Sequence, residues 1–331
     1  MLLAPLIPLS GGNPLVLVLV GLGGMISVTA NESTGLQSLD QAILPATVSD
    51  RQRTSGFATY NLVASAAAAI GGLAIGPLVA LGTALGQQGP ARFGVCFLVY
   101  AGCGLIALVL ARRLDEGVEA PTSGAPDARA PVGAPPRLSA GSRAAVRRLA
   151  GLFALDSLAG AFVVQSYLAY WFGTRHGLDA ATVGVLFFLG LLLTAASFPA
   201  AAALAGRFGL IRTMVFTHIP SSLLLIAMAI VPDPAAAMVL YLCRASLASM
   251  DVPTRQSYTM AIVPAEDRTA AAGITNLARS GAQSAGPILA GAFLLPLGLA
   301  APLIGSGVLK ICYDLALFAA FRSTPAPEEA Q

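Results

Sequence analysis

Long apolar segments alternate with short polar ones along almost the whole chain. A helix that crosses the hydrocarbon layer of a bilayer, about 30 Å thick, needs about 20 mostly apolar residues. The pattern therefore predicts nine full transmembrane helices, at residues 13–39, 55–82, 92–112, 147–173, 180–205, 212–232, 234–256, 269–296 and 299–321. Residues 1–10 are apolar but too short to cross, and they look like the end of a tenth helix.

One segment breaks this alternation. Residues 113–146 contain five prolines, many alanines and glycines, and scattered charges without periodicity, which predicts a disordered linker. The linker separates an incomplete N-terminal helical bundle, residues 1–112, from a six-helix C-terminal bundle, residues 147–322. Residues 323–331 are again polar and form a short tail.

Composition supports an all-α polytopic membrane protein. Hydrophobic residues make up 56% of the chain and charged residues 11%, whereas a soluble domain carries roughly a quarter charged residues. The net charge of +3 is too small and too dispersed for a nucleic-acid partner. The lipid bilayer is the expected partner, and we expect a monomer. The four cysteines all lie in apolar segments without a CxxC pair, which favours small buried side chains over metal ligands: Cys96, Cys103, Cys243 and Cys312.

The arginines predict the orientation. If residues 40–54 are cytoplasmic, alternation also makes 113–146, 206–212, 257–268 and the C-terminal tail cytoplasmic. These segments and the helix ends that adjoin them then hold fourteen arginines, and the opposite loops hold only Arg92 and Arg175. Arginine and lysine concentrate on the cytoplasmic side of membrane proteins. The linker and the C-terminus are therefore predicted to be cytoplasmic, in a cell inner membrane.

A second regularity is a duplication. Residues 32–46 and 251–265 carry one motif 219 positions apart, and each copy has Gln-Ser followed four residues later by Ala-Ile-x-Pro-Ala. Both copies continue with an Arg-Thr pair, an asparagine and a Gly-Pro pair: Arg53, Thr54, Asn61 and Gly76-Pro77 against Arg268, Thr269, Asn276 and Gly286-Pro287. The chain is therefore predicted to consist of two related membrane halves.

Related halves joined by a long linker make the chain resemble the major facilitator superfamily over essentially its whole length. The resemblance implies that residues 13–39 correspond to the family's fourth helix and 234–256 to its tenth. Two helices and most of a third are then missing at the front, and we expect a truncated chain or a misplaced start codon. A naturally short chain is the alternative.

Two family motifs can be traced. The cytoplasmic loop motif, whose family role is a charge latch on the gate, keeps Arg207, Gly209 and Arg212 but has Gly206 where an acid belongs. The antiporter-type GxxxGP motif is present as Gly72, Gly76 and Pro77 but lacks its second glycine pair. This second motif resembles that of proton-coupled exporters. Close packing of two helices explains it equally well.

Ionisable residues inside predicted spans cost roughly 2.5–3.5 kcal/mol on insertion scales, so each needs a role or a partner. Asp156 shares one predicted helical face with Tyr167, Tyr170 and Trp171. The face suits a cavity wall, with Asp156 as proton carrier or as the partner of an arginine. Trp171 fits the aromatic belt at the membrane interface better.

Two arginines break the symmetry of the halves, because Arg244 aligns with Met25 and Arg279 with Ala64. By the resemblance, Arg244 matches the arginine of the family's proton-related motif, although on the tenth helix. Arg279 belongs to a polar stripe that faces either a substrate cavity or another helix: Asn276, Arg279, Ser280 and Gln283.

The remaining charges suggest local pairs. Asp251 and Arg255 have the favourable i,i+4 order, and we interpret Asp251 as mainly structural, within reach of Arg207 or Arg212 in a closed gate. Glu32, its counterpart, is a proton-coupling candidate without an expected partner. Lys310 and Asp314 are expected to neutralise one another. His176 and His218 lack nearby acids or cysteines and receive no role.

No enzyme motif, ATP-binding loop or cofactor fingerprint is present, so the chain is not expected to be an enzyme or to bind a cofactor. We predict a secondary transporter that exports a small organic molecule in exchange for protons by alternating access. An organic-anion transporter that uses Arg244 and Arg279 is the alternative. A chain that transports nothing itself, an inactive remnant or a membrane partner, is a third hypothesis.

Overall fold

The computed structural model describes residues 41, 43–45, 47–113 and 138–322, and every regular element in these ranges is helical. The all-α prediction is thereby confirmed. Ten α-helices have both ends within the described part of the chain: α1 Arg53–Ala84, α2 Gly94–Ala111, α3 Ala140–Ala161, α4 Gln165–His176, α5 Ala180–Phe208, α6 Leu210–Ile230, α7 Pro234–Leu247, α8 Asp251–Ala261, α9 Arg268–Leu289 and α10 Ala301–Phe321.

Seven helical segments of the described chain are long and apolar enough to cross a membrane: Asp50–Ala84, Ala91–Leu110, Ala140–His176, Ala181–Phe208, Leu210–Ile230, Pro234–Ala261 and Ala301–Phe321. Helix α9 is not among them, although the sequence predicted a span at 269–296. Its polar stripe lowers its hydropathy. Residues 1–40, most of the linker and the tail, including the predicted span 13–39 with Met25 and Glu32, lie outside the described residues.

Two spans predicted as single helices are interrupted. Helix α3 ends at Ala161 and α4 begins at Gln165, with the β-branched Val164 in extended backbone between them. Helix α7 ends at Leu247, and α8 begins anew at Asp251. Pro253 accounts for this second break, because a proline ring clashes with the carbonyl four residues earlier in a continuous helix.

The chain divides into two compact units. One comprises Met1–Gln37 and Ala64–Glu119, and its described part contains α2 and most of α1. The other comprises Ser38–Val63 and Ala120–Gln331 and contains the start of α1 together with α3 to α10. All contacts analysed below lie within this second unit.

The core of the second unit contains two large apolar clusters. One surrounds Phe153, Met214 and Tyr258, and the other surrounds Trp171, Leu225 and Leu303. Helix α6 contributes to both clusters, and its buried polar residues lie between those two contributions. The apolar clusters thus hold a short polar stretch of α6 away from lipid.

Helix α10 approaches α6 closely at a glycine. A Cβ atom on Gly307 would lie 2.5 Å from Cγ1 of Ile226 and 2.9 Å from the carbonyl oxygen of Ser222. Both distances are too short for a side chain to fit without a shift of the helices. Glycine at this position therefore lets α10 bring its polar residues against those of α6.

Candidate functional site

Six ionisable side chains from four helices meet in the interior of the second unit, and we call them the charge cluster. They are Asp156 of α3, His218 of α6, Asp251 and Arg255 of α8, and Lys310 and Asp314 of α10. Their side chains are between 1% and 12% exposed. Four helices therefore direct their charged side chains away from lipid and toward one another.

Asp156 joins the two sides of the charge cluster. Its Oδ1 accepts a hydrogen bond from Lys310 Nζ at 2.6 Å, and its Oδ2 lies 3.4 Å from Nη1 of Arg255. Arg255 also donates to Asp251 at 2.6 Å. Asp156 therefore bridges α8 and α10, with one cation on each oxygen.

His218 links the remaining members. Its Nδ1 lies 2.9 Å and 3.0 Å from the two carboxylate oxygens of Asp314. Its Nε2 lies 3.3 Å from Lys310 Nζ and 3.8 Å from Oδ1 of Asp156. The imidazole is thus placed between an acid on one side and an ammonium and a second acid on the other.

The aromatic surroundings of the charge cluster are also buried. The guanidinium of Arg255 lies 5.5 Å from the ring centre of Phe153, within the range of a cation–π interaction. The ring of Tyr313 meets His218 edge to face at 6.0 Å, and its hydroxyl is buried without a hydrogen-bond partner among the described residues. These rings exclude lipid and water from the charges beside them.

Burying charges in this way demands that each has a partner, because the desolvation of an ion costs several kcal/mol. Among the described members of the charge cluster, three carboxylates face two permanent cations and one histidine. With a neutral imidazole the cluster carries one net negative charge. A single additional proton would make it neutral.

The geometry confirms one predicted pair and corrects another. Asp251 pairs with Arg255, as their spacing predicted, and not with Arg207 or Arg212 in the described structure. The prediction that Lys310 and Asp314 neutralise one another is wrong, since each bonds to another helix.

His218 is the residue that the sequence analysis missed. It was given no role because no acid lies near it in sequence, but Asp314 is 96 positions away and reaches it through the packing of α10 against α6. The available signal was only that Asp156, Lys310 and Asp314 each stood in an apolar segment and needed a partner.

Arg244 and Arg279 lie outside the contacts that define the charge cluster. Arg279 donates from Nε to the hydroxyl of Ser157 at 3.1 Å, next to Asp156 in sequence. The Nε of Arg244 is buried, and no described residue accepts a hydrogen bond from it. The predicted role of both arginines in a substrate cavity stays a prediction.

Asn276, like Arg279, belongs to the polar stripe of α9 and makes a contact outside its own helix. Asn276 is buried and bonds to Gln41, whereas Gln283 is half-buried. Tyr167 donates to the carbonyl of Leu299 at 2.5 Å. The predicted common face of Asp156 and Tyr167 is interrupted by the break between α3 and α4.

Trp171 is a correction. It was expected in the interfacial belt, but it is fully buried in the apolar cluster around Leu225 and Leu303. Its edge-to-face contacts with Phe172 and His176, at 5.0 Å and 4.8 Å, account for this position.

The two sequence motifs lie elsewhere. Gly209 joins α5 to α6 with a φ of 90°, and Arg207 and Arg212 beside it are exposed. No described atom lies within 4 Å of a Cβ built on Gly72 or Gly76. The gate role of the first motif and the antiporter role of the second stay predictions.

A sequence model of the Major Facilitator Superfamily matches residues 2–287 of the chain. The chain belongs to this superfamily. It is 27% identical over 357 residues to an uncharacterized membrane protein of Saccharomyces cerevisiae, an alignment that covers all of this chain and 80% of the yeast protein. Members of the superfamily are membrane transporters and generally not enzymes, so this chain is a multi-pass membrane transporter.

Two solved structures of the superfamily share the fold. The human organic anion transporter MFSD10 (TETRAN) superposes with a TM-score of 0.64 and 19% identity, over 86% of this chain and 68% of that one. A bacterial homologue of the iron transporter ferroportin, in an outward-facing state, gives a TM-score of 0.54 and 16% identity. That superposition covers 83% of this chain and 65% of the homologue.

Proposed function

We propose that this protein is a secondary transporter that exports a small organic molecule from the cytoplasm in exchange for protons. The observation that carries the proposal is the contact of His218 with Asp314, Lys310 and, more distantly, Asp156 inside the second unit. Histidine is suited to proton coupling because imidazole can bind or release a proton without any other chemical change. The proposal keeps Asp156 as a coupling residue and adds His218 and Asp314 to it.

Charge balance supports this proposal. The described charge cluster lacks one positive charge when His218 is neutral, so one proton makes it neutral. A neutral cluster costs less to desolvate than a charged one. Uptake of a proton therefore favours the conformation in which the cluster is shielded from water.

The hydrogen bonds suggest how the proton changes the structure. When Nδ1 of His218 carries the proton and donates to Asp314, Nε2 can accept a hydrogen bond from Lys310. A second proton on Nε2 opposes the ammonium of Lys310 and favours Asp156, whose Oδ1 now lies 3.8 Å away. Protonation of His218 would thus weaken its contact with Lys310 and strengthen its contacts with Asp314 and Asp156, which favours the shielded cluster.

Export, rather than uptake, rests on the resemblance of Gly72, Gly76 and Pro77 to the motif of proton-coupled exporters. The arginine distribution supports a cytoplasmic linker and C-terminus in the inner membrane. Without an ATP-binding motif in the chain, the proton gradient is the driving force that fits these residues.

The test is transport by the full chain reconstituted in liposomes with an imposed pH gradient. A panel of fluorescent organic molecules is loaded, and their gradient-dependent movement is compared between the unmodified protein, His218→Gln and His176→Gln. We expect His218→Gln to lose the dependence on the pH gradient and His176→Gln, outside the cluster, to retain it. Transport that persists after a protonophore collapses the gradient would contradict the coupling.

A second candidate function is the transport of organic anions. It is favoured by Arg244, whose buried Nε has no acceptor among the described residues, and by the fold shared with the human organic anion transporter. Arg244 or Arg279 would bind the carboxylate or phosphate of the substrate. Loss of anion binding in Arg244→Gln and Arg279→Gln, with the pH dependence of transport intact, would favour this function over the first.

A further inference from the structure

The residues that the two copies of the duplicated motif share do not belong to the charge cluster. They include Gln-Ser in the motif itself and the Thr and Asn that follow it, at Gln37, Ser38, Thr54 and Asn61 and again at Gln256, Ser257, Thr269 and Asn276. The proposed function leaves them without a role.

The first copy bonds to the second through α1. Asn61 donates from Nδ2 to Oε1 of Gln256 at 2.7 Å, and the same nitrogen lies 2.7 Å from the carbonyl of Phe57. About two helical turns before it, Thr54 donates to the hydroxyl of Ser257 at 2.8 Å. Shared residues of one copy therefore recognise shared residues of the other.

The second copy returns the contact. Asn276, the counterpart of Asn61, lies with its Nδ2 3.4 Å from Oε1 of Gln41. Gln41 follows Gln37, the counterpart of Gln256, by four residues in the sequence. In each copy an asparagine amide thus donates a hydrogen bond to a glutamine amide of the other copy. The bond from Asn276 is longer than the bond from Asn61.

A small apolar contact lies beside these bonds. Phe57 and Ala272, which occupy equivalent positions after the two Arg-Thr pairs, are both buried against Met260. The arginines of the pairs lie close by, and Arg268 donates to the carbonyl of Met260 at 3.2 Å. The reciprocal contacts are therefore at the arginine-rich end of the helices.

We infer that the reciprocal bonds Asn61–Gln256 and Asn276–Gln41 form an amide lock that holds the arginine-rich end of the transporter closed. Each bond joins neutral side chains, so each shifts an equilibrium by a factor of only about 2 to 10 and can break in every transport cycle. The two bonds together then hold this end of the transporter closed reversibly. This inference goes beyond the proposed function, because it needs no proton and no particular substrate.

The test measures how accessible position 272, buried with Phe57 and Met260 beside the amide lock, is to a thiol reagent. In the full chain with its four native cysteines replaced by serine, Ala272→Cys is labelled in membrane vesicles by a maleimide that cannot cross lipid. We expect Asn61→Ala and Asn276→Ala each to raise the labelling rate about 2- to 10-fold. Thr59→Ala on α1 and Ser284→Ala on α9 remove exposed hydroxyls of the same helices and should leave the rate unchanged.

A second measurement does not depend on weakened variants. In the same cysteine-free chain, Asn61→Cys with Gln256→Cys, and separately Asn276→Cys with Gln41→Cys, are treated with a short bifunctional thiol reagent. Both pairs should cross-link, whereas Thr59→Cys with Gln256→Cys should not. Labelling unaffected by either asparagine variant, or no cross-link in either pair, would overturn the lock. Neither readout requires a pH gradient, so its failure is distinct from failure of proton coupling.

Discussion

Lys310 and Asp314 stand one helical turn apart on α10, yet Lys310 bonds to Asp156 of α3 and Asp314 bonds to His218 of α6. A local pair between them would be satisfied within one helix and would hold nothing together. Directed to separate helices, the same two charges connect α10 to its neighbours. The interior of the second unit is therefore tied by ionic contacts as well as by apolar packing.

The central position of Asp156 predicts a large cost for its loss. Asp156→Asn leaves the buried cations of Lys310 and Arg255 each short of one partner, and breaking a buried pair typically costs about 3–5 kcal/mol. We expect a marked fall in the unfolding temperature of the detergent-solubilised protein. The double variant Asp156→Asn with Lys310→Met should recover part of that loss, and no recovery would argue against the pairing.

Adding a single methyl group at the connection between α5 and α6 should lower the stability of the protein. Gly209 has a φ of 90° and a ψ of 160°, a conformation available almost only to glycine. Gly209→Ala should destabilise the protein by about 1–3 kcal/mol. Gly206→Ala, in the preceding helix with nothing within 4 Å of its Cβ, is the matched control and should be neutral or slightly stabilising in the same thermal assay.

Close approach of α6 and α10 gives a third prediction. Gly307→Ala places a Cβ 2.9 Å from the carbonyl of Ser222, so the helices must separate, at a cost of about 1–3 kcal/mol. Gly151→Ala on α3 has open space and should cost nothing comparable. If the two variants melt at the same temperature, Gly307 does not limit the distance between these helices.

Asp267 makes stability depend on pH outside the membrane-spanning helices. Burial raises its pKa, but hydrogen bonds from Ser139 and Ser142 outweigh burial and hold the pKa below its usual value of 3.8. Since the folded-state pKa is the lower one, its contribution is fully present above about pH 5 and is lost as the pH falls through the folded pKa. As the pH falls below 3.8, the unmodified protein should therefore lose more stability than Asp267→Asn does.

The measurement compares unfolding temperatures of the two proteins from pH 7 to pH 3. Their difference should shrink steadily below about pH 5, because the unmodified carboxyl then takes up a proton. Ser139→Ala, which removes the 2.5 Å hydrogen bond to Asp267, should resemble Asp267→Asn at pH 7. A difference that stays constant over the range would contradict the assignment.

Sequence predicted the membrane class, the family and most helices, because apolar length and the duplication are local or repeated patterns. It also predicted the Asp251–Arg255 pair, whose members are four residues apart. His218 and its partner Asp314 could not be paired in this way, since only the packing of α6 against α10 brings them together. The burial of Trp171 was missed for the same reason.

The breaks in the helices were also only partly visible in the sequence. Pro253 marks the interruption before α8, and an apolar count over 234–256 conceals it. Between α3 and α4 no proline is present, and hydropathy alone does not reveal the extended backbone at Val164. Spans predicted from apolar length therefore overestimate the continuity of the helical segments that carry the charge cluster.

Helix α9 has a consequence for the synthesis of the protein. It is 22 residues long, but its Asn276, Arg279 and Gln283 leave it less apolar than the candidate spans on either side, Pro234–Ala261 and Ala301–Phe321. A segment of this kind is poorly retained by lipid alone during co-translational insertion. We expect it to enter the bilayer only once α3 is in place to receive its polar face and α10 has emerged to anchor it, so that truncation of the chain before residue 301 leaves α9 outside the membrane.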